Sequence, residues 1–291
     1  MHDIPTTVFF SLRQRFFDAE GEPVAFKLRP KANTQDDPFD EFLANVALTG
    51  VDDIQCVKAS GPLITPDLVL LRPGLLRGVK PADLRDDLTR LVAFEVKKLE
   101  RTPNGTVARA SGLDYNTTPP CGRVRVYDNA GATLDVRGFY IFVCLEPANK
   151  GVMATALAVV DGNILNTDFD FYLSIVGERE KKIELGSYGD GADRARPMLI
   201  FSNPLGVRQL NRGACLIHPN SELEATTAGW LRQIHVLKRT TKSAVETKFH
   251  AYRTRADAKG TPVTTLIEPM PTPTRDTKTR PRGRFKLPFR V

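Results

Sequence analysis

The sequence predicts an α/β domain: a central mixed β-sheet flanked by helices and carrying large loop insertions. Three observations predict it. Apolar runs of strand length recur at 51–59, 66–72, 91–99, 139–145 and 154–160. Amphipathic or charge-alternating segments at 36–50, 81–90 and 166–182 stand between or after them. Two stretches without periodicity, 101–136 and 184–196, exceed ordinary connections.

Residues 1–35 contain the pairs Phe9-Phe10 and Phe16-Phe17, and no element is assigned there. Asp36-Asp37-Pro38 supplies a cap and an early proline for a helix. Its stripe is Phe39, Phe42, Leu43 and Val46, and Thr49-Gly50 stops it. The strand at 51–59 ends at Ser60-Gly61-Pro62, and the strand at 66–72 ends at Pro73-Gly74. A short exposed helix at 81–90 leads into a third strand, 91–99. Strands at 139–145 and 154–160 follow, and Asp161-Gly162-Asn163 turns the chain. A helix is expected at 166–182, capped by Asn166 or Thr167, with Phe169, Leu173 and Val176 on one face. The run 197–201 reads as a strand, and 222–239 carries a mixed helical pattern around Trp230.

With 291 residues, 41% of them apolar and 26% charged, the chain is long enough for a sizeable core. No stretch approaches the ~18 uncharged apolar residues of a membrane span, and no secretory leader opens the chain. The four cysteines, Cys56, Cys121, Cys144 and Cys215, form no CxxC pair. They read as reduced thiols of a cytoplasmic protein, with Cys56 and Cys144 in strand cores. Cys215 and His218 lack the second pair that a zinc site needs. The net charge of +7 is mostly local. Residues 269–291 hold seven basic residues against Asp276, so this tail is +6 and residues 1–268 carry only +1. With five prolines, the tail reads as an extended arm able to wrap phosphates.

The charges inside the apolar runs carry the chemistry. Asp67 opens the 66–72 strand, and Glu95 and Lys97 interrupt the 91–99 strand. Stripping a carboxylate of water is costly, so a buried strand rarely carries one without a partner or a metal. Alternation sends Glu95 and Lys97 to one face and Phe94 and Val96 to the other. If the two strands pair, Asp67 comes beside Glu95. Two converging carboxylates repel, and a divalent cation relieves that repulsion. Oxygen ligands point to Mg²⁺ rather than zinc. Such an ion activates water and neutralises charge on a phosphate, which implies phosphodiester hydrolysis with Lys97 orienting the water. The bare acid-x-Lys spacing recurs at Glu180, Glu246, Asp257 and Asp276, but none of those lies in an apolar strand behind a second strand opened by Pro-Asp.

Ile64-Thr65-Pro66-Asp67, followed after 27 residues by Glu95-Val96-Lys97, resembles the signature of the PD-(D/E)XK nuclease superfamily. The helix and three strands in order are similar to that fold's common core over about 37–147, a restriction-endonuclease-like core. Chain length and large insertions resemble type II restriction endonucleases. The resemblance implies Asp67 and Glu95 as metal ligands, Lys97 as the catalytic lysine, Mg²⁺ as cofactor, double-stranded DNA as substrate and a homodimer. It makes 1–268 a single catalytic and DNA-binding domain ahead of the 269–291 tail. Some members use a further acid from the early helix. Asp40 and Glu41 occupy that region, but Glu41 lies opposite the apolar stripe, and neither is assigned.

Base reading needs donors on elements that reach a groove. The candidates are Asn116, Arg123 and Arg125 after the third strand, Arg194 and Arg196 in the next long stretch, and Arg208, Gln209, Asn211 and Arg212. The expected activity is site-specific cleavage of duplex DNA. The alternatives are a repair or junction nuclease of the same chemistry and a DNA-binding protein without catalysis. No glycine-rich nucleotide loop supports a metabolic enzyme.

Overall fold

Asp3 starts the first helix. Its side chain accepts the Thr6 N–H at 2.8 Å, and α1 runs Ile4–Phe16 with Val8, Phe9, Leu12 and Phe16 buried along one stripe. This helix lies in the segment for which the sequence reading assigned nothing. The structure is a computed structural model. It describes residues 1–32, 37–49, 51, 53–61, 64, 66–101, 104–105, 107, 113–115, 122–164, 194–197, 199–201, 204–240, 246–260, 262–266, 276–279 and 285–290. The helix expected at 166–182 lies outside these residues.

The second helix forms where expected. Asp37 accepts the Phe39 N–H at 3.1 Å and opens α2, Pro38–Phe42, which widens into a π-helical turn, Leu43–Ala47. Phe16 of α1 stacks on Phe39 of α2 with centroids 6.0 Å apart. The expected exposed helix at 81–90 is a single 3-10 turn, Pro81–Leu84.

The strands are β1 (Ala25–Phe26), β2 (Gln55–Lys58), β3 (Leu68–Leu71), β4 (Leu91–Leu99), β5 (Leu113–Tyr115), β6 (Arg123–Tyr127), β7 (Thr133–Ala148) and β8 (Gly151–Asp161). Then come β9 (Arg194–Pro197), β10 (Leu199–Phe201), β11 (Gly213–His218), β12 (Leu231–Thr240), β13 (Glu246–Thr254), β14 (Val263–Leu266) and β15 (Asp276–Thr279). The main sheet runs β14-β12-β13-β11-β8-β7-β4-β3-β2, with β1 added to β8 and β6 to β7. It is mixed: β4 and β7, β8 and β11, and β12 and β14 pair in parallel, and the remaining pairs are antiparallel. The broad expectation of an α/β protein with a large mixed sheet holds, although helices are few. Two small ribbons, β5 with β10 and β9 with β15, complete the strands.

Two expectations are corrected. The segment 222–239 is one helical turn, α3 (Leu223–Thr226), and then β12. The stretch 101–136 is not irregular throughout, because β6 and the start of β7 occupy 123–127 and 133–136. At the β7–β8 hairpin, Gly151 has φ +130°, and a Cβ there would lie 2.1 Å from the Phe26 carbonyl oxygen. Only glycine lets β1 reach the sheet at this point.

Each face of the sheet has its own core. Leu68, Leu70, Val92, Phe94 and Ile141 pack under α1 and α2 on one face. The opposite face holds two clusters. One gathers Leu99, Tyr140, Phe142 and Leu237, and the other Val69, Leu71, Leu91, Ala93 and Val126. The second of these also buries Phe285 and Leu287, and the Leu287 N–H donates to the Tyr127 carbonyl at 2.8 Å. The final stretch is therefore anchored in the core, which amends the reading of the tail as an arm. No helix among the described residues is long and apolar enough to cross a membrane. Cys56, Cys144 and Cys215 are free thiols, with Cys144 and Cys215 buried and Cys56 partly so.

Candidate active site

Pairing of β3 with β4 sets Leu68 against Phe94, so one further step puts Asp67 opposite Glu95. Asp67 is held from both sides of its residue. Its carbonyl accepts the Ala59 N–H at 2.9 Å, and its Oδ2 accepts the Val96 N–H at 2.7 Å. On β4, Phe94 and Val96 join the cluster under the helices. Glu95 and Lys97 turn to the other face, at the place where its two clusters part. Leu91 and Ala93 belong to one cluster and Leu99 to the other, which leaves the charged pair between them. The alternation expected for this strand is what the backbone delivers.

Lys97 Nζ donates to Glu95 Oε1 at 2.6 Å, with the Glu95 side chain 9% and the Lys97 side chain 21% exposed. The second carboxylate oxygen, Glu95 Oε2, is enclosed without a hydrogen-bond partner among the described residues. So is Asp40 Oδ1, on α2. An enclosed carboxylate oxygen without a donor is costly, so each needs a partner that the described residues do not supply. Asp40 is the residue that sequence reasoning passed over. A signal was available, because it lies one position past Phe39 on a helix capped by Asp37-Pro38, but its proximity to Glu95 arises only on folding.

The electrostatics register the crowding of three acids. Burial, and then the Glu95 charge, push the Asp40 carboxyl up to about 6, while Lys97 and Lys58 oppose the shift. Asp67 is raised well above the usual carboxylate range, first by burial and then by Glu95, with Asp40 adding to it. Among the described residues no group of three or more His, Cys, Asp or Glu side chains is placed so that it could hold a metal ion. The chemistry of the Asp67 and Glu95 pair, oxygens only, is that of ligands to a hard divalent cation, and burial with the neighbouring acid favours protonation where Lys97 offsets only part of the repulsion.

The raised Asp40 has a measurable sign. Its proton stabilises the folded chain fully below the ordinary value of 3.8, and that contribution is lost as pH rises through about 6. Replacing it with a neutral isostere, Asp40→Asn, removes the dependence. In EDTA we expect the variant to be more stable than wild type by roughly 1–3 kcal/mol at pH 8, the gap closing toward pH 4. Urea melts at the two pH values measure this, and an equal gap at both would reject the repulsive cluster.

No family model, no curated protein and no solved structure matches this chain.

The recognition candidates fare unequally. Arg125 forms a fork on Asp135, with Nε–Oδ1 at 2.8 Å and Nη2–Oδ2 at 3.1 Å, and Arg123 pairs with Asp86. These pairs commit both guanidinium groups within the chain. Arg194 and Arg196 lie on β9, opposite Thr279 and Thr277 of β15; their side chains and the whole of Asn116 lie outside the described residues. The 206–212 segment is the best formed. Arg253 Nη2 donates to the carbonyls of Gln209 and Arg212 at 2.8 and 2.6 Å, and Arg101 Nη2 to that of Asn211 at 2.6 Å. The backbone is thereby pinned while the side chains of Arg208, Gln209 and Arg212 stay exposed. Arg101 sits four residues beyond Lys97, ~13 Å at strand rise, so the pinned loop lies toward the end of β4. Cys215 and His218 form no pair: Cys215 is buried in a core cluster, and His218 Nε2 lies 3.2 Å from Asp3 Oδ2.

Proposed function

We propose that this chain is a Mg²⁺-dependent endonuclease that cleaves double-stranded DNA at specific sites, in the manner of type II restriction endonucleases. One observation carries the reading. Asp67, one residue before β3, bonds the Val96 N–H beside Glu95 of β4, Lys97 is hydrogen-bonded to Glu95, and an enclosed carboxylate oxygen lacks a partner among the described residues. The element order supports it: a capped helix, three antiparallel strands and a fourth strand parallel to the third.

Asp67 and Glu95 would hold the cation, with the Asp40 charge felt beside them. Bound there, Mg²⁺ supplies a Lewis acid and a water of lowered pKa. Asp67 is pre-oriented by the Val96 N–H, so its free oxygen need not reorganise. Glu95 Oε1 holds Lys97 Nζ beside the carboxylates, where the ammonium meets the scissile phosphate and steadies the attacking water. Arg208, Gln209 and Arg212 offer exposed donors for base edges, which favours site-specific over structure-specific cutting. A homodimer matched to a palindromic site belongs to the same reading.

Incubation with unmethylated phage DNA and Mg²⁺ tests it. Discrete fragments are the expected product. A smear would make this a non-specific or repair nuclease, and intact DNA bound in a gel shift would reduce it to a binding protein. A second readout needs no cleavage. Mg²⁺ at pH 8 should raise the melting temperature by several degrees, and far less at pH 5, where protons compete for Asp40 and Asp67. No shift at pH 8 would remove the metal from the proposal.

A further inference from the structure

A second site lies far along the sheet from the carboxylates. A pocket of about 850 Å³ opens between α1 and the ends of β12 and β13, lined by His2, Phe10, Arg13, Gln14, Trp230 and Arg255 among others. That volume suits a small organic ligand. Three strands, β11, β8 and β7, separate β13 from β4, an offset of roughly 19 Å at the usual strand spacing.

Trp230 is the chain's single tryptophan, and it is 70% exposed. Its backbone is deliberately placed. Ala228 has φ +50° and Gly229 φ +77°, so the chain accepts a left-handed non-glycine residue to make this turn. The turn is then clamped: the Trp230 N–H donates to the Thr227 carbonyl at 3.0 Å, and the Arg255 N–H to the Trp230 carbonyl at 2.9 Å. A large apolar ring held in water on a strained, fixed turn fits a stacking platform better than a packing residue. The facing wall is aromatic as well, with His2 against Phe10 at 5.8 Å between centroids.

The polar groups sort into floor and rim. Arg13 is locked by Asp257, Nε–Oδ2 at 2.9 Å and Nη2–Oδ1 at 2.7 Å, so its charge is cancelled in place. Arg255 is exposed on the rim and forms no ion pair among the described residues. Gln14 adds an exposed amide able both to donate and to accept. Aromatic walls, one uncompensated guanidinium and one amide recognise a planar heterocycle that carries an anion.

We propose that this pocket binds a nucleotide unit, its base stacked on Trp230 and its phosphate on Arg255. The unit can come from a free nucleotide or from an unpaired stretch of nucleic acid, and the experiment separates these sources. The full chain in EDTA is titrated with adenosine 5′-monophosphate and, separately, with a short oligothymidylate, while the emission of the single tryptophan is followed. Saturable quenching by the mononucleotide supports the proposal with a free nucleotide as ligand. Quenching by the oligonucleotide alone supports it with a single strand as ligand. Arg255→Ala should weaken binding about tenfold or more with the unliganded spectrum and melting temperature unchanged, and adenosine lacking phosphate should bind as weakly to wild type. Lys97→Ala should quench as wild type does. Three results would overturn the proposal: no quenching at millimolar ligand, undiminished affinity in Arg255→Ala, or loss of quenching in Lys97→Ala.

Discussion

Lys97→Ala should lower DNA cleavage by at least about 10³-fold while the chain still binds duplex DNA. Among the described residues the ammonium is the cationic group bonded to the carboxylate pair, at 2.6 Å from Glu95 Oε1. Removing it takes away charge stabilisation at the phosphate and leaves Glu95 with neither oxygen satisfied by a described side chain. Folding should be little affected, because the side chain is 21% exposed and its stem lies at the gap between two clusters. Nicking of supercoiled plasmid gives the rate, and a gel shift in Ca²⁺ or EDTA gives binding. Cleavage at wild-type rate by the variant would sink the site assignment. Parallel loss of binding and of the cooperative melt would instead reveal a structural role.

Asp161→Ala should be the most destabilising single change among those considered, by about 3–5 kcal/mol. Asp161 ends β8 with its side chain fully buried. One carboxylate oxygen pairs with Arg137 at the base of β7, and the other accepts the Asn163 N–H at 2.8 Å. Arg137 itself is 11% exposed and also donates to the Gly122 carbonyl at 3.2 Å. Truncation would strand a buried guanidinium beside two central strands. The melting temperature should fall by roughly 10 °C, read by circular dichroism. Arg137→Met with Asp161→Leu should recover much of the loss, because removing both charges also removes the desolvation cost. A drop of only a degree or two in Asp161→Ala would show that water reaches the pair.

The legible parts of this chain were those where local pattern and final burial agree. β4 occupies the run expected for it because nine residues in a row read as strand and are bounded by polar turns. Glu95 and Lys97 could be placed on one face for the same reason: alternation is a local property. β12 was misread as helical for a physical cause. Its pairing with β13 slips at a bulge between Gln233 and His235, so Ile234, His235 and Leu237 are all buried, while Leu231 is buried in the cluster of the opposite face. Those intervals mimic a helix, because the bulge breaks the period of two. α1 went unassigned because the doublets Phe9-Phe10 and Phe16-Phe17 blur its stripe; Phe10 turns out partly buried at the pocket, and Phe17 lies just beyond the helix. Asp40 could not be assigned from sequence because its importance is a long-range fact. Only the packing of α2 against the sheet brings its charge near Glu95.

The docking of α1 has a consequence in time. Its stripe, Val8, Phe9, Leu12 and Phe16, shares a cluster with Leu157 and Val159 of β8 and with Ala214 and Leu216 of β11. During synthesis the helix emerges about 200 residues before β11 is complete. At ~5–20 residues per second, its apolar face therefore waits roughly 10–40 s for the surface it covers. Asp3, which caps the helix, meets its His218 partner only at the end of that interval. An early helix is thus sealed only late, and until β11 arrives its apolar face is the surface most open to aggregation.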